Sequence, residues 1–195
     1  MALPGVYKIF NDRWSEYQTI HILSDTHFNE DDLKKAFPNR PSDEELVRRI
    51  NAKVGRKDLL ILLGDCGSPD FVRQLRGHKI LIAGNHEPGL TAFDSIFEEI
   101  YSGPVMIGEK LILSHEPIPN LTWAMNIHGH NHASKSKDNN HFNVCADIIG
   151  YEPINFNQWL KQGYLAKVES LHRQTIDSAT ERKKKRGGKK YERKL

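Results

Sequence analysis

Gln18-Thr19-Ile20-His21-Ile22-Leu23-Ser24-Asp25-Thr26-His27 joins a short, largely apolar and β-branched run to an abrupt polar stop. A buried strand that ends in a loop has this form. The arrangement recurs downstream, where Leu59 to Leu63 is closed by Gly64-Asp65 and Ile80 to Ala83 by Gly84-Asn85. Continuous apolar runs suit strands covered on both faces, which points to an α/β fold. Between the first two runs, Ser42 followed by Glu45 has the spacing of a capping box, and Leu46, Val47, Ile50 and Val54 follow at helical spacing. This predicts a helix ending near Gly55. Asp70 to Arg76 and Asn155 to Lys161 read as short helices, and Val105 to Ile107 with Leu111 to Ser114 as a hairpin around Gly108. Met125 to His128 and His141 to Val144 read as further strands, separated by the polar loop Ala133 to Asn140.

The polar residues fall in a pattern of their own. The apolar runs end, on their C-terminal side, in Asp25 and His27, Asp65, Asn85 and His86, His115, and His130 and His132. Ligands of open α/β sheets bind in the crevice beyond the carboxyl ends of the strands, so five strand ends are expected to deliver metal-type ligands to one edge. Taken singly, Asp25-Thr26-His27 is a common tripeptide and Gly64-Asp65 a common turn. Gly84-Asn85-His86-Glu87 and Gly129-His130-Asn131-His132 are more specific, because glycine clears the backbone while adjacent polar side chains project to one place. The ordered set, with the isolated Ser114-His115, is hard to obtain by chance.

On these residues the stretch from Ile20 to Pro153 resembles the calcineurin-like metallophosphoesterases, especially compact bacterial and phage-type members without a cap domain. The resemblance implies a four-layer α/β/β/α sandwich of two mixed sheets flanked by helices, and hydrolysis of phosphate esters with two divalent metal ions. By position it implies that Asp25, His27, Asp65 and His132 take one ion. Asp65, Asn85, His115 and His130 would take the other, with Asp65 bridging. Ligation by nitrogen and oxygen alone points to Mn, Fe, Zn, Ni or Co without ranking them, and Mn²⁺ is taken as the first choice. Two such ions lower the pKa of a bridging water and hold the phosphate oxygens through an in-line displacement. His86 is implied as the general acid or charge stabiliser near the leaving oxygen. Glu87 stands where the family more often has Asp, and orienting His86 is the role that position implies.

After Gly64-Asp65 the chain continues Cys66-Gly67-Ser68-Pro69 and lacks the Asp-Arg-Gly of the protein-phosphatase branch. The expected activity is therefore that of a phosphodiesterase acting on a nucleotide, cyclic nucleotide or similar diester, or of a small phosphomonoesterase. A nuclease acting on DNA or RNA and a non-catalytic scaffold of the same fold are the alternatives. Cys66 reads as a small buried residue rather than a ligand. His128 reads as a strand-end residue and His21 as a partnered core residue, while His78, His141 and His172 are expected at the surface. Trp123 and Tyr151 read as packing aromatics, with stacking on a nucleobase as the alternative.

Composition bounds the rest. A chain of 195 residues with 38% apolar side chains suits one domain, here residues 1 to 181. Two cysteines are too few for a disulfide framework, and neither a membrane-length apolar run nor a signal-like N-terminus is present, so a cytoplasmic protein is expected. The 28 Lys and Arg and 25 Asp and Glu are unevenly spread. Residues 182 to 195 hold nine basic side chains against Glu192, which leaves 19 basic and 24 acidic residues, a charge of −5, for the remainder. This basic segment is expected to be a structureless tail, either solubilising or nucleic-acid-binding.

Overall fold

The computed structural model describes residues 2 to 191 apart from Pro88, Lys137 and Ser170. In chain order it contains α1 (Lys8–Trp14), β1 (Ile20–Leu23), α2 (Asp31–Ala36), α3 (Asp43–Lys53), β2 (Leu59–Leu62), α4 (Pro69–Arg73), β3 (His78–Ile82), β4 (Glu99–Tyr101) and β5 (Val105–Gly108). There follow β6 (Leu111–Leu113), β7 (Met125–His128), β8 (His141–Asn143), α5 (Ala146–Ile149), β9 (Ile154–Asn155), α6 (Phe156–Lys161) and α7 (Leu171–Tyr191). One sheet has the order β4-β3-β2-β1-β9 and the other β5-β6-β7-β8. Both are mixed: β1 to β4 run parallel with β9 antiparallel, and β6 to β8 run parallel with β5 antiparallel.

The period-2 rule explains how the sheets stack. Ile20, Ile22, Leu59, Ile61, Ile80 and Ile82 join Leu111, Leu113, Met125 and Ile127 in one cluster, so this face of the first sheet packs on the second. The alternate residues Leu23, Leu60, Leu62 and Leu81 face outward onto Leu46, Val47 and Ile50 of α3, onto Val54 just after it, and onto Phe93 and Phe97. Every residue of β1 and β2 is buried, as expected for strands covered on both sides. Over the outer face of the second sheet, Leu121 and Ala124 pack with Ile112. The arrangement is that of two mixed sheets flanked by helices.

Helix α3 starts where expected, with Ser42 Oγ accepting from the Glu45 amide at 3.3 Å. The reciprocal half of the capping box is replaced, since Glu45 binds Arg48 and Arg49 instead. Helix α4 ends earlier than Arg76, and β3 begins two residues before Ile80. Helices α1, α2 and α5 and strands β4 and β9 carry no strong periodic signal and were not anticipated. Beyond Arg182 the backbone is helical through Tyr191. Residues 192 to 195 and the His172 side chain lie outside the described residues. Among the described residues no helix is long and apolar enough to cross a membrane.

Candidate metal centre

The two sheets touch where β1 ends. Ser24 pairs with Cys145, just beyond β8, while the Asp25 and His27 amides donate to Gly64 and Asp65 carbonyls at 3.0 and 2.9 Å. The chain turns sharply at each strand end, and Asp25, His27, Asp65 and His130 all lie at positive φ, between 40° and 65°. Non-glycine residues occupy this region rarely and at a cost of ~1–3 kcal/mol each, and such strain clusters at functional sites. Glycine is required beside them for space. A Cβ on Gly84 would meet Asp65 Oδ1 at 2.2 Å, and one on Gly129 would meet Asp25 Oδ2 at 2.2 Å. With hydrogen in those places the carboxylates accept backbone N–H groups, Asp65 Oδ1 from His86 at 2.9 Å and Asp25 Oδ2 from His130 at 2.9 Å.

The remaining carboxylate oxygens face imidazole nitrogens. His132 Nε2 lies 3.4 Å and His27 Nε2 3.8 Å from Asp25 Oδ1. Asp65 Oδ2 stands between His27 Nε2 at 3.5 Å and His115 Nε2 at 3.3 Å. On its far side His115 Nε2 meets Asn85 Oδ1 at 2.8 Å and His130 Nδ1 at 3.1 Å, and His130 Nδ1 is itself 3.1 Å from that Asn85 oxygen. All seven residues singled out in the sequence therefore converge, in two groups that meet at Asp65. Ligand atoms of Asp25, His27 and Asp65 lie within 4.8 Å of one another, as do those of Asp65, His115 and His130.

These donors fit a divalent cation. His27 Nε2 is fully buried, has no hydrogen-bond partner, and points between two carboxylates. Three Nδ1 atoms are engaged elsewhere: His27 on Glu30 at 2.7 Å, His115 on the Leu63 carbonyl at 2.8 Å, and His132 on Asp147 at 2.7 Å. Partners of this kind hold the proton on Nδ1 and leave Nε2 free to ligate.

Cys145 Sγ also approaches His132 and Asp25, but at 3.5 Å it faces the Nδ1 already taken by Asp147. Burial pushes its thiol up to about 11, so it is no thiolate at neutral pH. Cys66 is fully buried too, and burial raises its thiol well above the usual range.

Burial disfavours charge on every group here, yet ion pairing prevails. The Asp25 carboxyl is held far below the usual range because hydrogen bonds with His132 and His27 outweigh its desolvation. Desolvation would likewise lower His27, His115 and His132, but Asp25 and Glu30, Asp65, and Asp147 with Asp25 raise them respectively, His132 to about 12. Without metal these pairings favour the protonated rings. Metal must displace such protons, so affinity should rise with pH, with proton release. Calorimetric metal titrations in buffers of different ionisation enthalpy measure that release, and a pH-independent affinity would contradict it.

A second layer was not legible as such. Arg40 is buried and donates to Asp147 Oδ2 at 2.5 Å and to the backbone carbonyls of Asp25 and Thr26 at 2.8 and 2.5 Å. Tyr151 donates its hydroxyl to Asp147 Oδ1 at 2.8 Å beneath the Arg40 guanidinium, so it is a supporting residue rather than a stacking platform. Asp147 thus binds Arg40, Tyr151 and His132 at once. Replacing Asp147 by Asn should weaken metal binding in the His132 group by ~10–100-fold and leave the His115 group little changed. A two-step metal isotherm that keeps both affinities would refute this.

The other expectations resolve as follows. Glu87 accepts from the Gly84 and Cys66 amides at 2.6 and 3.3 Å, so it ties the Gly84-Asn85-His86 loop to the end of β2. That backbone role replaces the expected orientation of His86. His86 itself is exposed, with its ring 6.0 Å from that of His27, beside a groove of about 340 Å³ lined by Phe28, Asn29, Gly67 and Ser68. His128 is buried, bonded to the Gly129 carbonyl and to Ser136 Oγ, and is structural. His21 is buried 3.4 Å from Asp58, and Trp123 packs beside Ile112. His78 is exposed, whereas His141 is only partly so and contacts the Ile118 carbonyl.

Residues 18–179 match the family model for calcineurin-like phosphoesterases, and the chain belongs to that family. A protein of unknown function from Aquifex aeolicus has the same fold, with a TM-score of 0.62 and 24% identity over 74% of this chain and 98% of its own. The nuclease MPE of Pseudomonas putida matches at 24% identity and a TM-score of 0.40, over 58% of this chain and 61% of its own. A phosphoesterase-like protein from Streptococcus pneumoniae matches at 18% identity and 0.33, over 68% and 73%. No curated protein matches at a significant level.

Proposed function

We propose that the chain is a binuclear metal-dependent phosphoesterase that hydrolyses a phosphodiester, such as a nucleotide or cyclic nucleotide, or a small phosphomonoester. The observation that carries this reading is the convergence of seven ligand-type side chains from five strand ends on the two sides of Asp65. Asp25, His27, Asp65 and His132 would hold one ion, and Asp65, Asn85, His115 and His130 the other. When bound, such a pair supplies an activated water and Lewis-acid stabilisation of phosphate charge, with Mn²⁺ the first choice and Fe, Zn, Ni or Co compatible with the donors.

The chain's own residues do the rest. The Nδ1 partners of His27, His115 and His132 fix which nitrogen faces the centre. His86 would give a proton to the leaving oxygen, a reading supported by its exposure beside the groove. The residues after Asp65 favour a diester or small monoester over a phosphoprotein, since Cys66 is buried and Cys66-Gly67-Ser68-Pro69 contains no arginine. Residues 1 to 181 would form the catalytic domain, and two free buried cysteines suit a reducing cytoplasm.

The test compares hydrolysis of bis-aryl and mono-aryl phosphates across Mn²⁺, Ni²⁺, Zn²⁺ and Mg²⁺, before and after chelation. Metal-dependent turnover that favours the diester supports the reading. Two bound metals with no turnover on either ester would make the chain a non-catalytic scaffold.

A further inference from the structure

Helix α7 is 21 residues long, hence about 31 Å, and its described side chains from Thr175 to Arg182 are exposed, apart from the half-buried Asp177. Its apolar residues Leu171 and Ile176 remain 52% and 46% exposed, so neither is buried against the core. From Arg182 to Lys190 it has seven basic residues and no acidic one. Like charges four apart, Arg182 with Arg186, Lys185 with Lys189 and Arg186 with Lys190, each cost ~0.2–0.5 kcal/mol on a helix. Gly187 and Gly188 add roughly 1 kcal/mol apiece relative to alanine. A helix exposed from Ser178 to Lys185 and carrying this charge would be stabilised by a polyanion that neutralises it.

We propose that the basic half of α7 is a nucleic-acid-binding element that engages the phosphate backbone. At about 100° per residue, Arg182, Lys183, Lys185, Arg186, Lys189 and Lys190 occupy one half of the helix circumference. The other half has Lys184, Gly187, Gly188 and Tyr191, which gives almost no apolar face for a bilayer. Nucleic acid, with one charge per ~1.7 Å of duplex, needs only the basic face. The preceding 181 residues have a net charge of −5, so the affinity resides in the helix rather than the body. Contacts of this kind position a protein on the duplex without reading its sequence.

The experiment uses the full chain and a variant with those six residues changed to Gln, measured by fluorescence anisotropy on a labelled duplex of about 20 base pairs. With about six phosphate contacts the unmodified chain should lose on the order of 10³ in affinity between 50 and 200 mM salt. The variant should bind at least 100-fold more weakly at 50 mM with a nearly flat salt slope, while its hydrolysis of an aryl phosphodiester is unchanged. Equal binding or equal slopes for the two proteins would overturn the proposal, as would no binding at 50 mM salt. Phosphatidylserine vesicles that displaced the duplex at equal charge concentration would overturn it in favour of a membrane surface. Because the readout is binding, it stands or falls apart from the phosphoesterase reading.

Discussion

Asp65→Asn should eliminate detectable turnover and reduce bound metal from two equivalents to at most one. The expectation follows from the place of this side chain rather than from its charge alone. Its Oδ2 stands 3.5 Å from His27 Nε2 and 3.3 Å from His115 Nε2, so it belongs to both ligand groups, while Oδ1 holds the His86 amide. An anionic carboxylate oxygen with several lone pairs can face two cations while its neighbour accepts the backbone N–H, whereas the amide has one neutral carbonyl oxygen and an NH₂ that repels a cation. The His86 amide would keep an acceptor only if the Asn oxygen turned toward it, which presents the NH₂ to both histidines. Metal content measured after gel filtration, with thermal unfolding to confirm that the protein is folded, provides the check. Retention of two tightly bound ions would remove Asp65 from the bridging position.

Much of the fold was legible because its central strands are buried on both faces. Leu59 to Leu63 and Ile80 to Ala83 are apolar runs that admit few other readings, and each ends in residues that cannot continue a buried strand. The candidate ligands were legible for the same reason. A buried strand that stops in Asp, Asn or His places that side chain at the sheet edge, and glycine before it makes room. The supporting layer was not legible, because its members are joined only by folding. Arg40 and Asp147 are 107 positions apart in the chain, and no local pattern marks a lone arginine as the buried partner of a distant aspartate. Glu30, three residues after His27, had a helical or turn spacing that could have revealed it. The short strands β4 and β9, of three and two residues, depend on pairing with β3 and β1 rather than on their own composition. In the basic segment, charge density argued for a structureless tail and no apolar periodicity marked a helix, while the backbone is helical through Tyr191.

His86→Ala should lower turnover by ~10²–10⁴ and leave both metals bound, the usual effect of removing a positioned acid or base. The two outcomes separate because backbone and side chain of His86 do different things. Its amide is bonded to Asp65 Oδ1 at 2.9 Å, and alanine keeps that bond, so the geometry of Asp65 should persist. The imidazole, by contrast, is exposed at the groove, and no ligand atom of the two clusters depends on it. If the ring protonates the leaving oxygen, the loss must grow with the basicity of the leaving group. An alkyl or sugar alkoxide needs the proton, whereas a nitrophenolate departs nearly as well without it. The defect should therefore approach the upper end of that range on alkyl or nucleoside esters and shrink on nitrophenyl esters. A defect of equal size on both ester classes would assign His86 to stabilising phosphate charge, and loss of metal with activity intact would exchange its role with that of a ligand.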